Sequence, residues 1–198
     1  MLEFLKIADN LKNVRRFSSA PEMKEKESSA DHSWRLSLMV YMVAEELNLN
    51  IDRFRAVKIA LVHDVVEAVC GDVDYRDIVS GKDTKEAKEQ RELVAINQLA
   101  AMLSDKMSRD IKKLWMEYEA GETEESKFVK AMDKMETISH LVCTGYATYD
   151  VPEIIATYAD KHVAKVPELK PMLRDIKLQL KQEFLKGGFV WKDEYDLI

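Results

Sequence analysis

Residues 57–72 read VKIALVHDVVEAVCGD. Val, Ile, Leu and Ala dominate the stretch, as in a helix buried on nearly every side. His63, Asp64 and Glu67 are set into the middle of it. On a helix the 63–67 pair is spaced i, i+4 and the 64–67 pair i, i+3, so all three project toward one side. Burying an unpaired carboxylate costs on the order of several kcal/mol, so such groups are paired, hydrogen-bonded or bound to metal. No Lys or Arg lies between residues 59 and 75, which leaves no local counter-ion. A bound cation would supply the missing charge. The plainer reading is a core His bonded to a backbone carbonyl, with the two acids at a helix edge.

Working outward, this helix is expected from about residue 51 to 70, capped by Asn50 or Asp52 and stopped by Gly71. Upstream, LEFLKIADNLKNV places Leu2, Leu5, Ala8, Leu11 and Val14 at helical spacing. The polar stretch RRFSSAPEMKEKESSA that follows reads as a loop. The next helix covers about residues 31 to 47, with Ser28, Ser29 or Asp31 as its cap. Downstream, DVDYRDIVSGKDT reads as a second polar loop. Three helices follow: KEAKEQRELVAINQLAAML, then SDKMSRDIKKLWMEYEAG, with Ser104 as cap and Gly121 as stop, then ETEESKFVKAMDKMETISHLVCTGYATY. Pro152 and Pro167 open two more, at positions where a missing N–H costs little. The tail GGFVWKDEYDLI reads as an extended or irregular arm. No run alternates convincingly over a strand length. The expectation is an all-α fold of about seven or eight helices, a single domain over 1–198, with a core at roughly 1–165 and a C-terminal helix and tail at 166–198.

The totals bound the function. A chain of 198 residues with 46% hydrophobic and 33% charged residues suits one globular domain. A formal net charge of −6 argues against broad binding to nucleic acid, which needs a basic surface. It leaves room for a small anion in a local basic pocket. Cys70 and Cys143 form neither a disulfide framework nor a CxxC site, and read as buried free thiols in a reducing cytosol. There is no signal-peptide pattern, and no apolar run approaches the ~20 residues of a membrane span. The expected location is the cytoplasm, with no membrane partner.

Two further residues change the weight of the His-Asp pair. His32 sits at a helix start in SADHSWRLSLMVYMVA. Asp133 lies in KFVKAMDKMETISHL, at the border of the stripe formed by Phe128, Val129, Met132 and Met135. Each alone would pass for an ordinary surface residue. Together the pattern is ADH, then LVHDVVEAVCGD, then KFVKAMDKME. It resembles the HD-domain metal-dependent phosphohydrolase superfamily, in the branch of the 5′-deoxynucleotidases, over roughly residues 1 to 165.

The resemblance implies an HD-domain helical bundle in which His32, His63, Asp64 and Asp133 bind one divalent metal. Two imidazoles and two carboxylates suit Mn, Fe, Co, Ni or Zn better than Mg, and four protein ligands leave positions open for water and substrate. It implies Glu67 and Asp72 as the pair that handles protons and positions water. It implies Arg16 and Phe17 at the substrate phosphate and sugar, with Arg15 as the register alternative. An Arg fork suits phosphate by donating two parallel hydrogen bonds. The bacterial 5′-deoxynucleotidases carry Trp where this chain has Phe17, so the choice between ribose and deoxyribose stays open. His140 and His162 are expected in ordinary roles, the Met residues with Trp34, Trp115 and Trp191 in core or interface, and Lys82, Lys85, Lys88 and Arg91 on a solvated face. Lys24 and Lys26 fall in a loop whose length departs from the family. The implied activity is hydrolysis of (deoxy)nucleoside 5′-monophosphates to nucleoside and phosphate, by a homodimer or larger homo-oligomer. The alternatives are another HD phosphohydrolase, acting as a nucleotide pyrophosphohydrolase or cyclic-nucleotide phosphodiesterase, and a non-catalytic nucleotide-binding helical protein.

Overall fold

The computed structural model describes residues 1–17 and 26–197. Of the loop expected over 15–30, residues 18–25, with Lys24, lie outside the described residues. Among those described there is no strand, only one antiparallel bridge between Arg15 and Ser28. Eleven α-helices are present: α1 (Leu2–Ala8), α2 (Ser29–Glu46), α3 (Arg53–Val62), α4 (Glu67–Cys70), α5 (Tyr75–Val79), α6 (Lys85–Ala100), α7 (Asp105–Ala120), α8 (Glu124–Thr144), α9 (Pro152–Thr157), α10 (Asp160–Val163) and α11 (Lys170–Gly187). Three of them, α4, α5 and α10, have five residues or fewer, which leaves eight longer ones. The all-α expectation therefore holds.

Helix α8 is the centre. Phe128, Val129, Met132, Met135 and Ile138 on it are fully or almost fully buried. It packs against α2, α3, α7, α10 and α11. A second, smaller core joins Phe4, Val65, Val66, Ile96, Leu99, Ile111 and Trp115. Val62 borders both cores. No described helix is long and apolar enough to cross a membrane.

Several expectations change. The apolar helix does not run unbroken from 51 to 70. It leaves α geometry at His63 and tightens into bonds three residues back, Val65 N to Val62 O and Glu67 N to Asp64 O, each 3.0 Å. The Ala60 carbonyl accepts instead from His63 Nδ1 at 2.8 Å. A three-residue turn stacks i on i+3, which lines Glu67 up with Asp64. The loop at 72–84 contains α5, started by Asp74, whose side chain accepts from Arg76 N at 3.0 Å. The arm at the C-terminus carries a 3-10 turn at Asp193–Asp196 and is tied down. Lys177 Nζ donates to the Tyr195 carbonyl at 2.6 Å and pairs with Asp160. Trp34 is exposed, and Cys143 is exposed rather than buried.

Candidate active site

Helix α2 delivers His32. Ser28 caps it within a capping box, accepting from Asp31 N while Asp31 accepts from Ser28 N. That fixes the first turn and points His32 inward, with no solvent exposure. Its Nδ1 donates to Glu136 Oε2 at 2.5 Å. Glu136 is fully buried and is held in turn by the Arg35 guanidinium, which also donates to the Glu136 carbonyl. With Nδ1 engaged, Nε2 faces the interior with its lone pair. His63 arrives from the end of α3 with the same arrangement, Nδ1 on a carbonyl and Nε2 inward. The two rings stand edge to face, 5.3 Å between centroids.

Both Nε2 atoms are buried without a partner in hydrogen-bond geometry. Asp133 Oδ1 lies 3.2 Å from His32 Nε2. Asp64 Oδ2 lies 3.1 Å from His63 Nε2 and 3.8 Å from His32 Nε2. Ligand atoms of His32, His63 and Asp133 fall within 4.8 Å of one another. Two orphaned imidazole nitrogens facing carboxylate oxygens are a donor set that fits a divalent cation. Electrostatics agree. Burial and Arg16 work against a charge on His32, yet the Asp133 and Glu136 carboxylates raise its pKa to about 9. A proton on Nε2 or a cation beside it would equally supply the positive charge that the carboxylates favour. A second cluster, Glu27 with His32 and Glu136, lies behind, and Arg35 pairs with both of its carboxylates.

The remaining expected residues converge on the same place. Arg16 turns inward, its Nη1 donating to Asp64 Oδ2 at 3.4 Å and its Nη2 to Thr137 Oγ1 at 3.1 Å. Arg15 is exposed and reaches the Lys26 carbonyl. The counter-ion that the local sequence lacks thus comes from a distant segment. Burial opposes the Asp64 charge, but His63, His32 and Arg16 outweigh it and hold the carboxyl below its usual range. Phe17 has φ 55, and its ring stacks on His140 at 5.8 Å. Glu67 is buried and accepts from Ser29 Oγ at 2.6 Å. Burial, then the Asp64 and Asp72 charges, push its carboxyl well above the ordinary value. Burial likewise raises Asp72.

These groups open onto a cavity of about 820 Å³ lined by Arg16, Phe17, His63, Asp64, Glu67, Asp72, Asp133 and Lys134 among others. Lys85, Lys88 and His162 also line it. Lys82 and Arg91 pair instead with Asp77 and Asp83 on the exterior. Tyr118 and Glu136 were not singled out by the sequence. Tyr118 OH donates to Asp133 Oδ2 at 2.6 Å, and its ring packs edge to face on His63. Glu136 is visible only as the last letter of KFVKAMDKME, since an ionisable residue on a buried face carries no label of its partner.

The chain is similar to known proteins. Over 139 residues the chain is 37% identical to a protein of Xenopus laevis named 5′-deoxynucleotidase HDDC2, covering 70% of this chain and 66% of that one. The namesake of Homo sapiens is 36% identical, with 65% of its length covered. That of Dictyostelium discoideum is 38% identical, over 69% of this chain and 73% of its own. The matched stretch therefore spans just under two thirds of the vertebrate relatives. A crystal structure from Magnetospirillum magnetotacticum, described as a predicted metal-dependent phosphohydrolase, superposes with a TM-score of 0.75 at 25% identity, covering 96% of each chain. The PH0347 protein of Pyrococcus horikoshii shares the fold, with a TM-score of 0.71 at 21% identity over 90% of this chain and 99% of that one. The family model described as HD domain matches residues 8–169, most of the chain and all of the site, and the chain belongs to the HD domain family.

Proposed function

We propose that this protein is a metal-dependent phosphohydrolase that cleaves (deoxy)nucleoside 5′-monophosphates to nucleoside and phosphate. The observation that carries the reading is the pair of orphaned Nε2 atoms of His32 and His63, converging with Asp64 and Asp133 at the floor of a cavity that Arg16 enters. The names of the relatives support the same reaction. His32, His63, Asp64 and Asp133 would hold one divalent cation, and the mixed N/O set favours Mn, Fe, Co, Ni or Zn over Mg. Such a cation supplies Lewis-acid polarisation of the attacking water and of a phosphoryl oxygen.

The chain's own residues do the rest. Arg16, braced by Thr137, grips the phosphate with its fork. Phe17, stacked on His140, borders the sugar. Glu67 and Asp72 stand in a site where burial raises both carboxyl pKa values. Between them they take a proton from the attacking water and return one to the leaving 5′-oxygen.

A phosphate-release screen tests the reaction. It spans ribo- and deoxyribonucleoside mono-, di- and triphosphates and cyclic nucleotides, each with Mn, Co, Zn and Mg. Release from monophosphates with a transition metal is expected. Release confined to pyrophosphate or cyclic substrates, or binding without release, would overturn the reading.

Self-association of two or more copies belongs to the same proposal. Trp34, Leu38, Tyr41 and Met42 are exposed at i, i+4, i+7 and i+8 on α2, an apolar face that a second copy would cover. Light scattering should give a dimer or larger species, reduced in mass by Trp34→Glu. A monomer at micromolar concentration contradicts it.

A further inference from the structure

Among the cations that line the cavity, Lys134 stands next to a candidate metal ligand and no step above uses it. Lys134 follows Asp133 on α8, and its Nζ lies 2.8 Å from Asp133 Oδ2. The side chain is 24% exposed, lines the cavity, and carries its ammonium over the Tyr158 ring, 5.2 Å from the centroid. Arg16 lines the same cavity, braced on Thr137. Residues 134 and 137 are one turn apart, roughly 4.5 Å along the helix axis. Two cations therefore sit over adjacent turns of α8 and face one cavity, and each is tied to a different aspartate, Arg16 to Asp64 and Lys134 to Asp133.

We propose that Lys134 is a phosphate-binding residue of this site, gripping the substrate's phosphoryl oxygens together with Arg16. The inference rests on the phosphomonoesterase reading and deepens it. A divalent cation held by Asp64 and Asp133 makes a neutral centre, two charges against two. A phosphomonoester brings about two negative charges near pH 7, and Glu67 and Asp72 add acidity to the wall. The balance must come from side chains. Arg16 supplies one charge and Lys134 the other. Of the other cations on the wall, Lys88, Arg76 and Lys85 pair with Glu92, Asp150 and Glu89, and Lys161 is exposed. An ammonium has three rotatable donors, so Lys134 can keep one N–H on Asp133 Oδ2 and turn the others to phosphate. The competing role is narrower: Lys134 does no more than neutralise Asp133.

Orthophosphate separates the two roles, because its binding needs no turnover. The probe is inorganic phosphate titrated calorimetrically into metal-loaded wild type, Lys134→Met and Lys134→Arg, with metal content and melting temperature measured alongside. Lys134→Met should keep the wild-type metal content, bind orthophosphate at least tenfold more weakly, and raise KM for monophosphates more than it lowers kcat. Lys134→Arg should recover most of the affinity. Unchanged phosphate affinity in Lys134→Met, or no orthophosphate binding by wild type, overturns the assignment. Lys134-dependent orthophosphate binding in a protein that cleaves no monoester would uphold Lys134 and sink the reaction instead.

Discussion

His32 has both ring nitrogens spoken for, one by Glu136 and the other by the space it shares with His63, Asp64 and Asp133. A carboxylate behind a ligating imidazole fixes its tautomer and raises its basicity, and losing such a partner typically costs about 10–100-fold in metal affinity. Glu136→Gln should therefore lose metal to a chelator at about 10–100-fold lower concentration than wild type. An unchanged chelator midpoint would sink that role. Glu67→Gln should keep the metal and lose about 10²–10⁴ in turnover, the usual worth of a positioned acid or base. His140 makes a separate prediction. Burial and Arg35 lower its pKa to about 4. The unfolded chain therefore binds more protons than the folded one between about pH 6.5 and 4, so the His140 contribution is present above 6.5 and is lost as pH falls. His140→Gln should flatten the acid side of the melting-temperature profile in that window, and parallel profiles would contradict it. At this scale the residue types of the candidate site and their spacing were legible in the sequence. It did not show that Arg16, 48 residues before Asp64, is the counter-ion, or that Glu136 backs His32, because such pairings are made by packing between helices.

The element that matters most is the interrupted helix of α3 and α4. Period and composition predict one helix, and that is what an apolar run with polar insertions normally means. The competing bond is local: His63 Nδ1 takes the Ala60 carbonyl, and the following turn tightens. Side-chain competition for a backbone carbonyl leaves no periodic trace. The exit was legible, since Gly71 stands where a stop was expected. Its φ of 76° and ψ of 164° fall in a region essentially restricted to glycine. A Cβ there would meet nothing within 4 Å, so the cost of Gly71→Ala is backbone strain, of order 1–3 kcal/mol. Because Asp72 is the next residue, the substitution should lower turnover as well as melting temperature. A lower melting temperature with unchanged turnover would place Asp72 outside the chemistry. The short α5 was missed because its five residues, two of them charged, carry too little period to show.

Over the whole molecule, the strong helical periods made the all-α class legible, and the three motif segments tied together regions far apart in sequence. The order of the helices in space, the second small core and the clamp of Lys177 on the tail were not legible, since each depends on contacts that no single segment encodes. Val62 and the helix crossings of α8 join the cores into what we propose is one cooperative unit. Unfolding in denaturant should then give coincident transitions by tryptophan fluorescence and circular dichroism; two separated transitions would divide the chain. The unpartnered Nε2 atoms of His32 and His63, facing oxygens of Asp133 and Asp64, bind the account together, because they fit a cation. The measurement that tests this most directly is Asp64→Ala, assayed for metal content and for phosphate release from deoxynucleoside monophosphates beside metal-loaded wild type. The account predicts close to one transition metal per wild-type chain with release, and neither in the variant. Full release by a metal-free Asp64→Ala protein would contradict it.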